Sequence, residues 1–390
     1  MKKVNIFILA ILLLTAGCGG CKQSGNDDLI TVDVTKSYPK KELILQDIFD
    51  VEYIPLETNN EFLTQGRVLA ISKYLIFVRN RMDDGDVFIF DRTTGKGLKK
   101  INRIGKGPEE YRYYLEITID DELSEIYVND IISQKIIIYD FEGKFKRSFG
   151  RKDGITFLYN FDQENLICND GYFDGKNGGM HPFLLISKRD GRITKEIQIP
   201  YKKKINTGVA GAPYFLFINY APISYYFGNW ILVCPSSDTI YKYQPDHTVT
   251  PLVARTPSIQ STKPQIFLFM RIITDRYYFM EKIIKVYDPA TKNTPSKDLL
   301  YDRKKKSIFE YKVYNNDYAE KNLVSLKAST LLAISIPRPE NDEIATWQVL
   351  EADQLVEDFE KGKLKGKLKE IAAGLKEEDN PVIMLVKHKK

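Results

Sequence analysis

The sequence predicts an all-β fold: a six-bladed β-propeller with a small helical insertion in the closing blade. Three observations lead there. Gly95, Gly143 and Gly191 each sit in a turn between an apolar strand and an alternating one, and they fall 48 residues apart each time. Two further short apolar runs precede each of these hairpins, so the unit is four strands within roughly 50 residues, the period of propeller blades. The chain also carries one unpartnered strand pattern towards each end, VEYIPLET (51–58) and PVIMLVKHK (381–389). A ring of sheets needs such a pair, because an open edge invites aggregation.

Taken in order, the first unit reads VLAIS (68–72), YLIFVRN (74–80) and the hairpin VFIFDRTTGKGLKKI. The second reads LEITID (115–120), EIYVND (125–130) and KIIIYDFEGKFKRSF. The third reads TFLYN (156–160), NLICND (165–170) and PFLLISKRDGRITKEIQI. In each hairpin the glycine supplies a positive φ without steric cost. A fourth unit fits 221–254 and a fifth 266–313 with the insertion PATKNTPSK, while a sixth starts near STLLAISIP (329–337). Within the sixth, residues 350–375 read as helix, with Leu364, Leu368, Ile371 and Leu375 on one face. The two tail strands, Val51–Leu56 and Val382–Val386, are expected to pair in this last blade.

The N-terminus carries an address. MKKVNIFILAILLLTAGC has two lysines, a short apolar run and small residues before Cys18. The run falls short of the ~20 residues that span a bilayer, so residues 1–17 read as a signal peptide. TAGC looks like a lipobox, with Thr15 in place of the usual leucine, and Cys18 is then the lipidation site. Acyl chains on Cys18 would hold the protein at a membrane surface. Residues 18–28 form a flexible tether, and 29–390 form a single propeller domain with its helical insertion at about 350–377. The address implied is the cell envelope, as an outer-membrane lipoprotein facing the periplasm or the outside.

Composition is globular, with 43% hydrophobic and 12% aromatic residues and a net charge of +5. Removing Lys2 and Lys3 leaves a charge too small to argue for a nucleic-acid partner. Cys168 and Cys234 align with Val128 in successive units, and packed sheets lie ~10 Å apart, beyond disulfide reach. They therefore read as small core residues with free thiols.

The loop RIGKGPEEY (103–111) has two glycines and a lysine, but a strand follows it and no Ser or Thr follows the lysine. A phosphate loop needs GxxxxGK[ST], or GxGxxG opening a helix. Gly105, Gly107 and Pro108 are structural turn residues here. At these residues the chain resembles the six-bladed β-propeller lipoproteins of Gram-negative bacteria, relatives of NHL-repeat propellers. The resemblance rests on VEYIPLET, IGKGPEEY, IYVND–KIIIYDFEGKFKRSF, TPSKDLLYDR and LKGKLKEIAAGLKEEDNPVIMLVK. IGKGPEEY resembles the inter-blade loop of NHL repeats, which implies that Tyr111 packs between blades. The family is largely uncharacterised, so the resemblance implies a fold and an export route but no reaction. A WD40 propeller is disfavoured, since the two tryptophans, Trp230 and Trp347, lack the expected neighbours.

Chemistry is sparse. The three histidines, His181, His247 and His388, show no metal-ligand spacing, nucleophile signatures are absent, and no cofactor is implied. Six-bladed relatives include calcium-dependent lactonases and lyases, which gather polar groups round the channel. Polar candidates for such a place are Glu110, Arg112, Glu116, Asn160, Arg271 and Asp275, against the reading that they are ordinary solvated residues. Tyrosines in YRYY (111–114, including Tyr114), YFLFINY (214–220) and SYYF (224–227) could stack on ligands, although inter-blade packing is the commoner use of such rings. The leading expectation is a non-enzymatic binding or scaffold module for a glycan, a peptide or other envelope proteins, with Glu110, Arg112, Tyr114, Arg271 and Asp275 as ligand candidates. The alternative is a channel-centred, calcium-dependent hydrolase or lyase.

Overall fold

The computed structural model describes residues 29–80, 84–171, 182–327 and 343–389. It is a six-bladed β-propeller with a few short helices. Blade 1 holds strands Arg67–Ile71, Leu75–Arg79, Asp86–Asp91 and Gly97–Asn102, paired in that order, and blade 2 holds Tyr114–Asp120, Glu125–Asp130, Lys135–Asp140 and Phe145–Gly150. Blade 3 runs from Ile155–Asn160 to Ile193–Ile197, blade 4 from Ile223–Tyr226 to Val249–Thr256, and blade 5 from Ile266–Ile273 to Ser307–Asn315. The first strands of neighbouring blades lie side by side. Thr118 Oγ1 donates to the Leu158 carbonyl at 2.8 Å, stitching blade 2 to blade 3.

Ring closure matches the sequence expectation. Val382–His388 pairs antiparallel with Phe49–Pro55, from Val382 opposite Pro55 to His388 opposite Phe49, and Ile344–Leu350 pairs with its other edge. The expected strand start near 329–337 and His181 lie outside the described residues, as do the signal and tether segments. Two strands were not foreseen. Ile30–Asp33 pairs parallel with Val249–Thr256 on blade 4, and Lys40–Ile44 pairs parallel with Ser307–Asn315 on blade 5. The chain thus covers the outer edges of blades 4 and 5 before it joins blade 6, which blunts edges that would otherwise offer unpaired backbone groups.

The core is a set of seams. Among the described residues, buried side chains fall into six clusters, each between two neighbouring blades. Along Asn165–Asp170, Leu166 and Cys168 face blade 2 while Ile167 faces blade 4. Every sheet is buried on both sides, which is why its middle strands read as continuous apolar runs. The repeat glycines have φ of 70°, 75° and 74°. Each also lies close to the preceding blade: a Cβ on Gly95 would fall 2.0 Å from the Pro55 carbonyl oxygen, and one on Gly191 2.4 Å from the Phe149 ring.

The expected helix is two helices, Ala352–Glu360 and Gly366–Ala372. Gly362 takes a φ of 67° between them, and the Ala319 N–H bonds the Lys363 carbonyl at 2.7 Å, so the chain breaks there to pin itself to the end of blade 5. Leu355, Leu364 and Leu368 bury against Tyr311 and Val313.

Candidate binding face

Neighbouring strands within a blade are antiparallel, so first-to-second and third-to-fourth connections leave one end of each sheet, and all others leave the opposite end. On the first end, from 227–228 to 92–96, no connection between described strands of blades 1–5 exceeds five residues. Short side chains close these turns: Asp91, Asp120, Asp162 and Asp302 each accept two backbone N–H groups through Oδ1. This is the turn end. The other end carries 103–113, 198–222, 285–295 and the helical excursion 351–381. This is the loop end, where variable segments stand on a rigid frame.

Loop 103–113 is braced from within and by both neighbouring blades. The Glu110 carboxylate accepts the Gly107 N–H at 2.7 Å, and a Cβ on Gly105 would meet Glu110 Oε2 at 1.9 Å. A carboxylate thus fills the place where a phosphate would have to sit. Tyr111 is buried between blades 1 and 2. Its hydroxyl donates to the Gly85 carbonyl at 2.7 Å and accepts from the Arg103 N–H at 3.1 Å, and burial pushes it up to about 12. Tyr114 is buried beside it, ring centroids 5.1 Å apart. Pro108 and the Arg112 side chain are exposed, while the Arg112 N–H is held by Asp130 Oδ2 at 2.8 Å.

Arg271 lies across the ring in blade 5, at a bulge between the pairs Met270–Met280 and Ile272–Phe279. A bulge re-aims its residue, and here it turns Arg271 onto Glu281, with Nε donating to Oε2 at 2.9 Å. Lys327 bonds the other oxygen of Glu281 and lies 3.7 Å from Asp298. Burial would raise the Glu281 carboxyl, but Arg271 and Lys327 outweigh it and hold it low. The network closes on itself as a structural hub. Asp275 is exposed in a turn at the opposite end of the ring, where its carbonyl accepts from Arg303 at 2.9 Å.

The five ligand candidates therefore do not converge. Glu110 and Tyr114 serve one loop and one seam, Arg271 serves an ion-pair hub, and Asp275 faces the turn end; of the five, only Arg112 presents its side chain on the loop end. Glu116 bonds the Leu158 N–H at 2.8 Å, and Asn160 is partly buried at the end of its strand. Among the described residues no group of three His, Cys, Asp or Glu side chains is placed to hold a metal ion.

Cys168 and Cys234 carry free thiols. Cys234 does not repeat the position of Cys168, because the second strand of blade 4 ends at Leu232. It lines a small cavity with Asp238, Arg255 and Phe267. Burial brings the Arg255 guanidinium down to about 10, and among the described residues its Nη2 has no hydrogen-bond partner. The space suits one bridging water.

Sequence reasoning singled out YFLFINY (214–220) among the aromatic stretches but not which of its rings faces water. Segment 207–218 is a hairpin: the Val209 N–H bonds the Leu216 carbonyl and the Ile218 N–H bonds the Thr207 carbonyl, both at 2.9 Å. Phe215 near its tip is 97% exposed. Of the neighbouring rings, Tyr220 stacks on Phe269 with centroids 4.8 Å apart, the packing use that aromatic residues were expected to favour.

A family model described as "Domain of unknown function (DUF4934)" matches residues 29–387. No curated protein matches the sequence. Among solved structures, the chain is similar to a Bacteroides fragilis protein described as a "Putative exported protein", at 17% identity and a TM-score of 0.61, covering 90% of this chain and 99% of that one. It is also similar to a member of the DUF4221 family from Bacteroides vulgatus, at 11% identity and a TM-score of 0.45, covering 70% of this chain and 91% of that one.

Proposed function

The chain belongs to the family described as Domain of unknown function (DUF4934), and we infer that it is an exported, envelope-anchored propeller that binds a glycan or peptide at its loop end without chemical turnover. One observation carries this reading: among the described strands of blades 1–5, the long connections all leave one end of the ring while the other is trimmed to tight turns. That division supplies a rigid frame and one adaptable surface, which suits recognition. The signal-like N-terminus with Cys18 supports export and lipid anchoring, and the description of the Bacteroides fragilis protein of the same fold supports export alone. Around blades 1 and 2 the loop end offers exposed Ile104 and Ile132 beside the exposed Arg112 side chain, a mixed surface fit for a sugar face or a peptide.

The test is to probe the purified mature chain with envelope glycans, dietary glycans and peptides. Saturable binding is expected, weakened about tenfold by Arg112→Ala, the scale of an interface hot spot, and unchanged by Tyr74→Ala at the turn end. Chemical conversion of the ligand, or binding that follows Tyr74 and ignores Arg112, overturns the reading.

A further inference from the structure

We propose that the hairpin 207–218 is a membrane-docking element that sets the ring against an anionic lipid surface. Phe215 projects almost wholly into solvent, and Tyr214, Phe217 and Val286 round it are each about half exposed. The Tyr214 hydroxyl donates to the Lys292 carbonyl and its ring meets Tyr287 edge-on at 6.1 Å, so hairpin 207–218 and loop 285–295 form one rim across blades 4 and 5. Lys285 Nζ ties the same loop to the Asn206 carbonyl at 2.8 Å.

Charge decides the partner. The rim connections 198–222, 233–238, 257–265 and 285–295 carry Lys202, Lys203, Lys204, Lys263, Lys285 and Lys292 against two acids, Asp238 and Asp288. A protruding apolar tip ringed by lysines matches an interface with negative headgroups above and acyl chains beneath. A convex tip needs a medium it can enter, and lipid supplies one without a preformed pocket. Geometry agrees. Ile30 and Val32 of the first described strand and Val34 just after it bury in the same cluster as Ile205, Val209 and Ile218 at the base of the hairpin. The described chain therefore begins in the sector that carries the patch, with Ile30–Asp33 running parallel to Val249–Thr256 from the turn end towards the loop end. Docked there, the ring stands on the rim of blades 4 and 5 and holds the loops of blades 1 and 2 away from the lipid.

The experiment uses the full mature chain with Cys18→Ser, so that no acyl chain contributes and the outcome is independent of the glycan or peptide reading. Vesicles of phosphatidylglycerol and phosphatidylethanolamine are compared with pure phosphatidylcholine. Binding to the anionic vesicles alone is expected. Phe215→Ser should weaken it by about tenfold or more, the scale of burying one phenyl side chain. The triple variant Lys202→Glu, Lys203→Glu, Lys204→Glu should abolish it, since each lysine near such a surface contributes about fivefold. A Phe215→Trp variant should shift its emission to the blue on the anionic vesicles. Failure to bind, binding indifferent to Phe215→Ser, or a blue shift of the Phe215→Trp variant produced by an acidic polysaccharide or protein but not by vesicles, each overturns the proposal.

Discussion

The two ends of the ring are built from the same strands and differ in how much freedom their connections keep. At the turn end blades 1, 2 and 3 each reach back to the preceding blade from the position just after their third strand. Arg92 contacts Glu343 of blade 6, Phe141 packs edge-on against Phe77 of blade 1, and Lys188 pairs with Asp120 of blade 2. Loops at the other end are tied to themselves and to one another, as Glu110 and the Tyr214–Lys292 bond show, and hairpin 207–218 leaves an aromatic ring in water. The contrast teaches where stability and function separate: lacing blades together needs fixed geometry at every repeat, while recognition needs segments that can change without loosening the ring.

The pair Lys188–Asp120 gives the strongest way to break that contrast, because the two side chains are only 4% and 2% exposed. Lys188→Met leaves Asp120 buried without its cation, and removing one partner of a buried pair costs about 3–5 kcal/mol. Denaturant unfolding of the variant should show that loss. Adding Asp120→Asn removes the stranded charge yet keeps the Oδ1 acceptor that closes the turn to Glu122 and Leu123, so the double variant should recover most of it. If the single variant unfolds like the parent, the lacing does not hold the ring.

A pair of glycines sharpens the comparison. Gly95 at the turn end and Gly211 in the loop-end hairpin have φ of 70° and 83°. A Cβ at Gly95 collides with the Pro55 carbonyl oxygen, whereas one at Gly211 meets nothing within 4 Å. Gly95→Ala combines left-handed strain with overpacking and should cost about 2–4 kcal/mol, and Gly211→Ala only the strain, about 1 kcal/mol. Equal losses in thermal unfolding would mean that both ends are equally constrained.

The same division governs what could be read from sequence. The turn end was legible because its geometry demands particular residues: Gly95, Gly143 and Gly191 are spaced by the fold itself, and the tail strands declare themselves as apolar runs in need of a partner. Ile30–Asp33 and Lys40–Ile44 were not legible, since a short parallel strand needs no hairpin signal, and the outer position leaves Lys40–Ile44 without a buried alternating face. Nor was the candidate surface. Glu110 and Arg271 have the chemistry of a site, but whether two such side chains meet depends on blade orientation and on a single bulge at Arg271, neither of which leaves a local pattern. Phe215 sits in YFLFINY, whose other aromatic residues include the stacked Tyr220, and nothing local marks the one that faces water.

Acid gives the last and smallest test, and it too should act on the turn end. His388 ends the strand Val382–His388 there, among the rings of Phe49, Tyr226 and Phe227, and burial lowers its pKa to about 4 against the opposing field of Asp275. A base whose folded pKa lies below its unfolded value near 6.5 binds its proton more readily when the chain unfolds. Its contribution is therefore intact above about pH 6.5, declines as pH falls, and is fully lost below about 4. Between pH 7 and 5 the loss should be about 2 kcal/mol. Glu125 in blade 2 titrates in a separate window. Burial would raise its carboxyl, but bonds from Arg147, Lys146 and Tyr127 hold it at about 2, so its contribution persists above 4.5 and falls only below that. Urea titrations at pH 7 and pH 5 thus separate the histidine from Glu125. His388→Gln, which cannot take up a proton, should flatten the difference, and an unchanged slope in that variant would place the acid-sensitive group elsewhere in the ring.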